Sequence, residues 1–249
     1  MPEEVKVLAA RRVYEFRPDD LRLAVLSTPA IRAKIQSEFA FQQAVMGAVV
    51  PLFGAIDISG QGVTFASGSV SEEDGQVTPI RFIQVEPTRI VIDVAAPSTA
   101  IDTIYRRLVQ AVGNARVPDG SAAIGKPTQH SDYSELSARL AFPISAILAE
   151  GLPGVLQDLV GSKLEIAMTL YIQTLVHGET YPGFPTQESA ILRLAPRQGF
   201  PLSERVYFSS APVETNRHVK YLTELESTLR RTSSKGVARA VINSRKRPT

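Results

Sequence analysis

The chain has 249 residues, of which 44% are hydrophobic and 21% are charged. This composition is typical of a folded protein and excludes disorder over most of the length. The chain contains no cysteine, which excludes disulfides, thiolate zinc sites, iron–sulfur clusters and cysteine nucleophiles.

The net charge of +2 conceals an uneven distribution along the chain. Residues 230–249 contain seven basic and no acidic residues, so in the rest of the chain 20 basic residues are outnumbered by 25 acidic ones. Such a segment is typical of an arm that binds nucleic acid or an acidic partner. The structural alternative is a solvated, frayed C-terminus. The basic residues are Arg230, Arg231, Lys235, Arg239, Arg245, Lys246 and Arg247.

The first predicted elements are a strand and a helix. Residues 5–16 alternate in their second half, with positions 12, 14 and 16 on one face and 11, 13 and 15 on the other, which predicts a β-strand. Thr28 and Pro29 supply an N-cap and a first-turn proline for a helix. Its apolar positions are Ile31, Ile35 and Phe39.

A group of strands and a second helix follow. Residues 44–58 are apolar but interrupted by glycine and proline, which leaves a helix end and a buried strand as alternatives. Residues 62–70, 78–85 and 88–95 are predicted strands of an antiparallel meander, because turn-forming residues separate them. The second helix begins at Thr99 as N-cap and ends at Gly113. Its apolar stripe is Ile101, Ile104, Tyr105, Leu108, Val109 and Val112.

The second half repeats this order of elements after a segment with little periodicity at 114–132. Residues 134–142 alternate between the two faces of a predicted strand, one of which is exposed to solvent. The other face carries Leu136, Ala138, Leu140 and Phe142. A helix at 145–160 and a final helix from Thr215 flank the remaining strands. Those strands are predicted at 163–175, 188–195 and 205–211.

These elements predict an α+β fold. Two topologically similar βαβββα halves, each strand, helix, three strands, helix, form one antiparallel sheet layer that is backed by helices. The predicted bounds are 1–113 and 133–231 for the halves, 114–132 for the connecting loop and 232–249 for the basic tail. No matching sequence repeat accompanies this order, and two small domains with a flexible linker are the alternative.

Signals for membranes and export are absent from the sequence. The N-terminus is acidic before its first apolar run, which is the reverse of a secretory signal. The longest apolar stretch, 44–58, falls short of the roughly 20 residues of a membrane-spanning helix. We therefore expect a cytoplasmic protein without a membrane partner.

The common sequence motifs of catalytic and cofactor-binding sites are also missing. No Gly-x-Ser-x-Gly, phosphate-binding loop or HExxH frame occurs, and the three histidines have no metal-ligand spacing. We therefore predict no metal and no cofactor. The weak catalytic candidates are His177 with Glu179, in a loop of Gly, Pro and aromatic residues, and His130 in a segment of proton-transfer groups. Adjacent strand residues point to opposite faces, which argues against a triad around His130.

The same 177–185 loop contains Tyr181 and Phe184, which could be presented to a protein partner or could pack on the sheet as part of a rigid hairpin. Arginines on the strands form a second hypothesis, a basic strip on the polar sheet face for phosphate contacts. Its alternative is cross-strand pairing with Glu15, Asp93 and Glu135. The strip comprises Arg12, Arg81, Arg89 and Arg139, with Arg11 beside them.

Three strings carry a family resemblance: RVYEF at 12–16, IQVEPTRI at 83–90, and a closing helix with His218, Glu224 and Ser227. Together with the order of elements they resemble a sporadically distributed bacterial family of similar length and no established activity. The resemblance implies a small cytoplasmic protein of accessory, mobile or defence-type gene clusters. It implies no catalytic residues.

Three functional hypotheses follow. The first is a non-catalytic interaction module that binds a protein partner or a second copy of itself. The second is a nucleic-acid-binding protein that uses the basic tail and the arginine strip. The third is an enzyme that uses His177 or His130 with a nearby carboxylate.

Overall fold

The computed structural model describes residues 2–46, 62–71, 75–113, 120–141, 144, 167–175 and 189–244. The helices are α1 (Leu23–Leu26), α2 (Pro29–Glu38), α3 (Thr99–Val112) and α4 (Thr215–Ser244), with a 3-10 turn at Leu202–Glu204. The strands are β1 (Glu4–Glu15), β2 (Gln43–Met46), β3 (Val63–Ser71), β4 (Val77–Val85), β5 (Arg89–Val94), β6 (Gln129–Arg139), β7 (Leu170–Leu175), β8 (Ser189–Pro196) and β9 (Val206–Ala211).

The strands in this part of the chain form a nine-stranded sheet in the order β2-β3-β4-β5-β1-β6-β9-β8-β7. The meander predicted for 62–95 is confirmed, because β3 pairs with β4 and β4 with β5, both antiparallel. β1 then pairs antiparallel with β5, with Arg12 opposite Ile92. The α+β class and the antiparallel sheet are therefore confirmed.

β1 alternates as its sequence predicts. Tyr14 belongs to the large apolar core together with α3, whereas Val13 joins a small cluster with Phe82 and Val91 on the other face. Arg11 and Arg12 consequently point to opposite faces of the sheet.

The first two predicted helices are present, with a shift at one end. α2 begins at Pro29 with Thr28 as its N-cap, as predicted. The N-cap of α3 is Ser98 rather than Thr99. Ser98 and Thr215 bond reciprocally, each backbone N–H donating to the other's hydroxyl, at 2.9 and 3.1 Å. The hydroxyl of Ser98 therefore accepts from Thr215 and makes no capping hydrogen bond to the first turn of α3.

The chain divides into two compact units by its internal contacts. Unit 2 comprises residues 7–134 with 213–215, and its core is formed by β1, the meander and the apolar stripe of α3. Unit 1 comprises residues 1–6, 135–212 and 216–249. In unit 1, Leu136, Ala138, Leu140 and Leu194 are buried.

Several predicted boundaries move. β6 begins at Gln129, within the segment expected to be a loop, and the strand predicted at 163–175 is formed only over Leu170–Leu175 in the described residues. The ambiguous apolar region contributes β2, while 47–61 lies outside the described residues. The helix predicted at 145–160 also lies outside them. The topological repeat of two halves therefore stays a prediction.

Candidate functional site

Several predicted site residues are not covered by the structure. His177, Glu179, Tyr181 and Phe184, and the three basic residues at 245–247, lie outside the described residues. α4 carries positions 230, 231, 235 and 239 on helical backbone. The Arg231 side chain is exposed, and its guanidinium donates to Thr228 Oγ1 at 3.3 Å.

The strand arginines each lie beside a carboxylate. Arg11 donates to buried Asp93 at 2.8 Å, and Arg81 lies 3.3 Å from the same carboxylate. Arg81 reaches it from a bulge in β4, where the register with β5 shifts between Ile80 and Phe82. In the other cases, Arg89 pairs with Glu86 at 2.6 Å and Arg139 with Glu204 at 3.8 Å.

Arg12 is the centre of a polar cluster in unit 2. Its Nε donates to Asp132 of β6 at 2.7 Å, and its Nη1 donates to Asp102 of α3 at 2.5 Å. Burial lowers the pKa of Arg12, but the hydrogen bond to Asp132 and the neighbouring Tyr14 outweigh it and hold the pKa above the ordinary value. The guanidinium is therefore charged at every pH where the protein folds, and it joins β1, β6 and α3.

Tyrosine rings complete this cluster. Tyr14 stacks on Tyr105 of α3 with ring centroids 4.1 Å apart and an interplanar angle of 20°. Burial raises the pKa of both phenols, that of Tyr105 to about 12. Both hydroxyls are therefore protonated at neutral pH, and the pair contributes packing rather than a phenolate base.

His130 lies at the margin of the cluster. Its ring is half exposed, 6.1 Å from the Tyr14 ring, and its Nε2 is 3.7 Å from Asp132 Oδ2. His130 and Asp132 are two residues apart on one strand, so they share a face. Asp132 already accepts from Arg12, and 3.7 Å is beyond a hydrogen bond. This geometry favours a structural role for Asp132 over that of an orienting carboxylate.

His218 makes a serine–histidine contact that no catalytic frame in the sequence indicated. Its ring is fully buried, and its Nε2 lies 2.8 Å from Ser209 Oγ. Ser209 Oγ donates its proton to the Arg193 carbonyl at 3.1 Å, so Nε2 carries the hydrogen between the two side chains. Burial lowers the pKa of His218 to about 4. A neutral donor shielded from solvent cannot activate the serine.

An apolar cleft of about 310 Å³ lies in unit 1 between α4 and the strands β7, β8 and β9. Ile172 and Leu192 are opposite each other in the β7–β8 register and line its floor. Tyr221, Leu225 and Thr228 of α4 recur at i, i+4 and i+7 and form its helical wall. The remaining lining residues are Ala211, Pro212 and Glu224.

The strand beside this cleft is the last in the sheet order. In the described part of the chain, β7 pairs only with β8, from Leu170 opposite Leu194 to Leu175 opposite Ser189. Tyr171 is 62% exposed and lies on the face away from the cleft, where the guanidinium of Arg193 is 5.8 Å from its ring centroid. Sequence reasoning missed the cleft, although the helical spacing of 221, 225 and 228 was a readable signal.

Two searches of the described residues gave negative results. No group of three His, Cys, Asp or Glu side chains there has the arrangement of a metal site. No helix in the same part of the chain has the length and apolar character needed to cross a membrane.

Comparison with models of protein families, with curated proteins and with solved structures found no match for this chain. The family resemblance of the three sequence strings therefore stays a prediction.

Proposed function

We propose that the protein is a non-catalytic interaction module that binds an extended segment of a protein partner in unit 1. The observation that carries this proposal is the apolar cleft directly beside β7, which is the edge strand of the sheet among the residues that the structure describes. An edge strand offers unpaired backbone N–H and C=O groups, and an added strand satisfies them. The adjacent cleft then receives alternate side chains of that strand and supplies specificity.

The chemistry of the cleft supports an apolar ligand segment. Ile172, Leu192 and Leu225 present aliphatic surface, while Glu224 is the one charged residue among those that line the cleft. Burying an apolar side chain from a partner against this surface contributes about 25 cal/mol per Å² of area removed from water. The two histidines that the structure describes do not support a catalytic role. His218 is fully buried, and Asp132, the carboxylate beside His130, is hydrogen-bonded to Arg12.

Photo-crosslinking tests the proposal. p-Benzoylphenylalanine placed at exposed Thr228, on the cleft wall, is expected to give a defined protein adduct in cells. The matched control is the same residue at Lys34, exposed on α2 of unit 2. The adduct should be lost when Leu225→Lys puts a charge in the cleft. Equal labelling at Thr228 and Lys34, or an adduct insensitive to Leu225→Lys, would overturn the proposal.

Nucleic-acid binding by α4 is the second candidate. The specific observation is that helical backbone continues to Ser244, so positions 231, 235 and 239 fall at i, i+4 and i+8 on one helix face. Three basic residues in one stripe can follow a line of phosphates.

A salt titration tests this second candidate. The absorbance ratio at 260 and 280 nm is informative, because the chain has no tryptophan and only 7 tyrosines. The full chain should elute with bound nucleic acid at low salt and without it at high salt. The triple substitution of Arg231, Lys235 and Arg239 to Gln should remove it, and Lys34→Gln should not. A ratio typical of bare protein in low salt would refute this candidate.

A further inference from the structure

We infer that the partner of edge strand β7 is β7 of a second copy, paired antiparallel about a two-fold axis normal to the sheet. The inference rests on the proposed function and names its partner. It stands on three properties of unit 1: the place of β7 at the end of the sheet formed by the described strands, the sequence of β7, and its position beside the cleft.

β7 lacks the devices that keep edge strands apart. Its sequence, LYIQTL, has no charged residue, no proline and no glycine. Natural edge strands are ordinarily protected by lysines, prolines or bulges. The pairing of β7 with β8 is in continuous register over all six residues, with no bulge. An uncharged, regular edge strand is therefore suited to pairing with another strand.

The same sequence is complementary to itself. In an antiparallel pair centred on Ile172, position 172 faces its own copy, 171 faces 173 and 170 faces 174. No like charges meet at any of these positions, which removes the usual penalty of self-pairing. A two-fold axis normal to the sheet also keeps each face of one copy continuous with the same face of the other.

The cleft supports a pair centred on Ile172. Ile172 is only partly buried and lines the cleft in each copy. At the two-fold axis the two Ile172 side chains face each other on the cleft side. The two clefts then form one apolar layer beneath a continuous sheet, and each copy covers apolar surface of the other. Glu224 is the one charged residue among those that line this cleft, so a charged partner would have a single side chain there with which to form an ion pair.

The absence of natural cysteines allows a direct test. Ile172→Cys introduces the single thiol of the chain. Directly opposed residues in an antiparallel pair have Cα atoms about 4.5–5.5 Å apart, within the range of a disulfide. Under mild oxidation this variant should form a covalent species of twice the 27.0 kDa chain mass. Val77→Cys, at an exposed apolar strand position in unit 2, is the matched control.

The expected result is that the disulfide-linked dimer forms at least about tenfold faster for Ile172→Cys than for Val77→Cys, because paired strands hold the two thiols at high effective concentration. Light scattering should give a dimer for the unmodified chain and for Val77→Lys, and a monomer for Ile172→Lys. If Ile172→Lys fails to fold, the rates of disulfide formation of the two cysteine variants decide whether β7 pairs with its copy. Equal rates with a monomeric unmodified chain overturn the inference.

The two proposals fail in different ways. A cleft adduct from Thr228 to a different protein, with equal cysteine rates, keeps the proposed function and overturns self-pairing. No adduct at Thr228 and a monomeric chain overturn both. An adduct between two copies of this chain supports both.

Discussion

Two of the buried arginines are held by carboxylates that are distant in sequence. Arg11 and Asp93 are separated by 82 residues, and Arg12 and Asp132 by 120. A buried ion that loses its partner keeps its desolvation cost without the compensating attraction. The loss of stability on substituting each carboxylate should therefore follow how deeply that carboxylate is buried and not how many ion pairs it makes.

Asp132→Asn and Asp102→Asn test this in the Arg12 cluster. The Asp132 side chain is 15% exposed and that of Asp102 is 59% exposed. Asp132→Asn weakens a charge-assisted hydrogen bond to a buried guanidinium and should lower the free energy of unfolding by about 2 kcal/mol. Asp102→Asn, at an exposed site, should cost less than about 1 kcal/mol. Urea denaturation measures both, and equal losses would contradict this account.

His218 makes the stability depend on pH. Its pKa is about 4 in the folded protein against 6.5 for an ordinary histidine, so the unfolded chain takes up a proton first as the pH falls. The contribution of neutral His218 to the free energy of unfolding is fully present above pH 6.5. It declines as the pH falls from about 6.5 to about 4. At about pH 5 the loss should be about 2 kcal/mol.

The control is His218→Gln, which keeps a polar group near Ser209 and removes the titration. Urea midpoints followed from neutral to acidic pH should fall less steeply in this variant than in the unmodified protein. The same slope in both proteins would show that other groups cause the acid sensitivity.

At the scale of elements, β3 passes close under the end of α2. Gly68 of β3 pairs with Ile80 of β4, and the N–H of the next residue, Ser69, donates to the Phe39 carbonyl at 2.8 Å. A Cβ atom at position 68 would lie 2.8 Å from the Phe39 carbonyl oxygen and would overlap the ring of Phe41. Only glycine allows the backbone to approach this closely.

Gly68→Ala should therefore destabilise unit 2 by about 2 kcal/mol through overpacking. Ser71→Ala, at the exposed end of the same strand, should change the free energy of unfolding by less than about 0.5 kcal/mol. Thermal or urea unfolding provides the comparison. A neutral Gly68→Ala would mean that the β3 backbone moves away from Phe41 without cost.

At the scale of the whole molecule, the chain forms two compact units whose segments are not continuous in sequence. Compact units commonly open as separate cooperative units. We expect Asp132→Asn to raise amide exchange over 7–134 and His218→Gln to raise it over 135–212 and 216–244. Hydrogen exchange with mass spectrometry resolves these segments. A uniform rise over the whole chain in both variants would indicate one cooperative unit.

The sequence by itself determined the local structure where a periodic pattern and its end signals agree. The stripe Ile101, Ile104, Leu108 and Val112 is buried as predicted, because helical spacing alone places these residues on one face. The strands at 62–95 follow from the same local logic, with turn residues between alternating runs. The N-cap of α3 lies one residue before the predicted position, at Ser98, which exchanges hydrogen bonds with the distant Thr215.

Only the tertiary structure decided which residues meet. β1 lies between β5 and β6 in the sheet order, and that placement brings Arg12 to Asp132 and Asp102 rather than to the nearby Glu15. The sealed pair of Ser209 and His218 and the cleft beside β7 arise in the same way, from strand order and burial. Periodicity records which face of an element is apolar, but it contains no information about which other element covers that face.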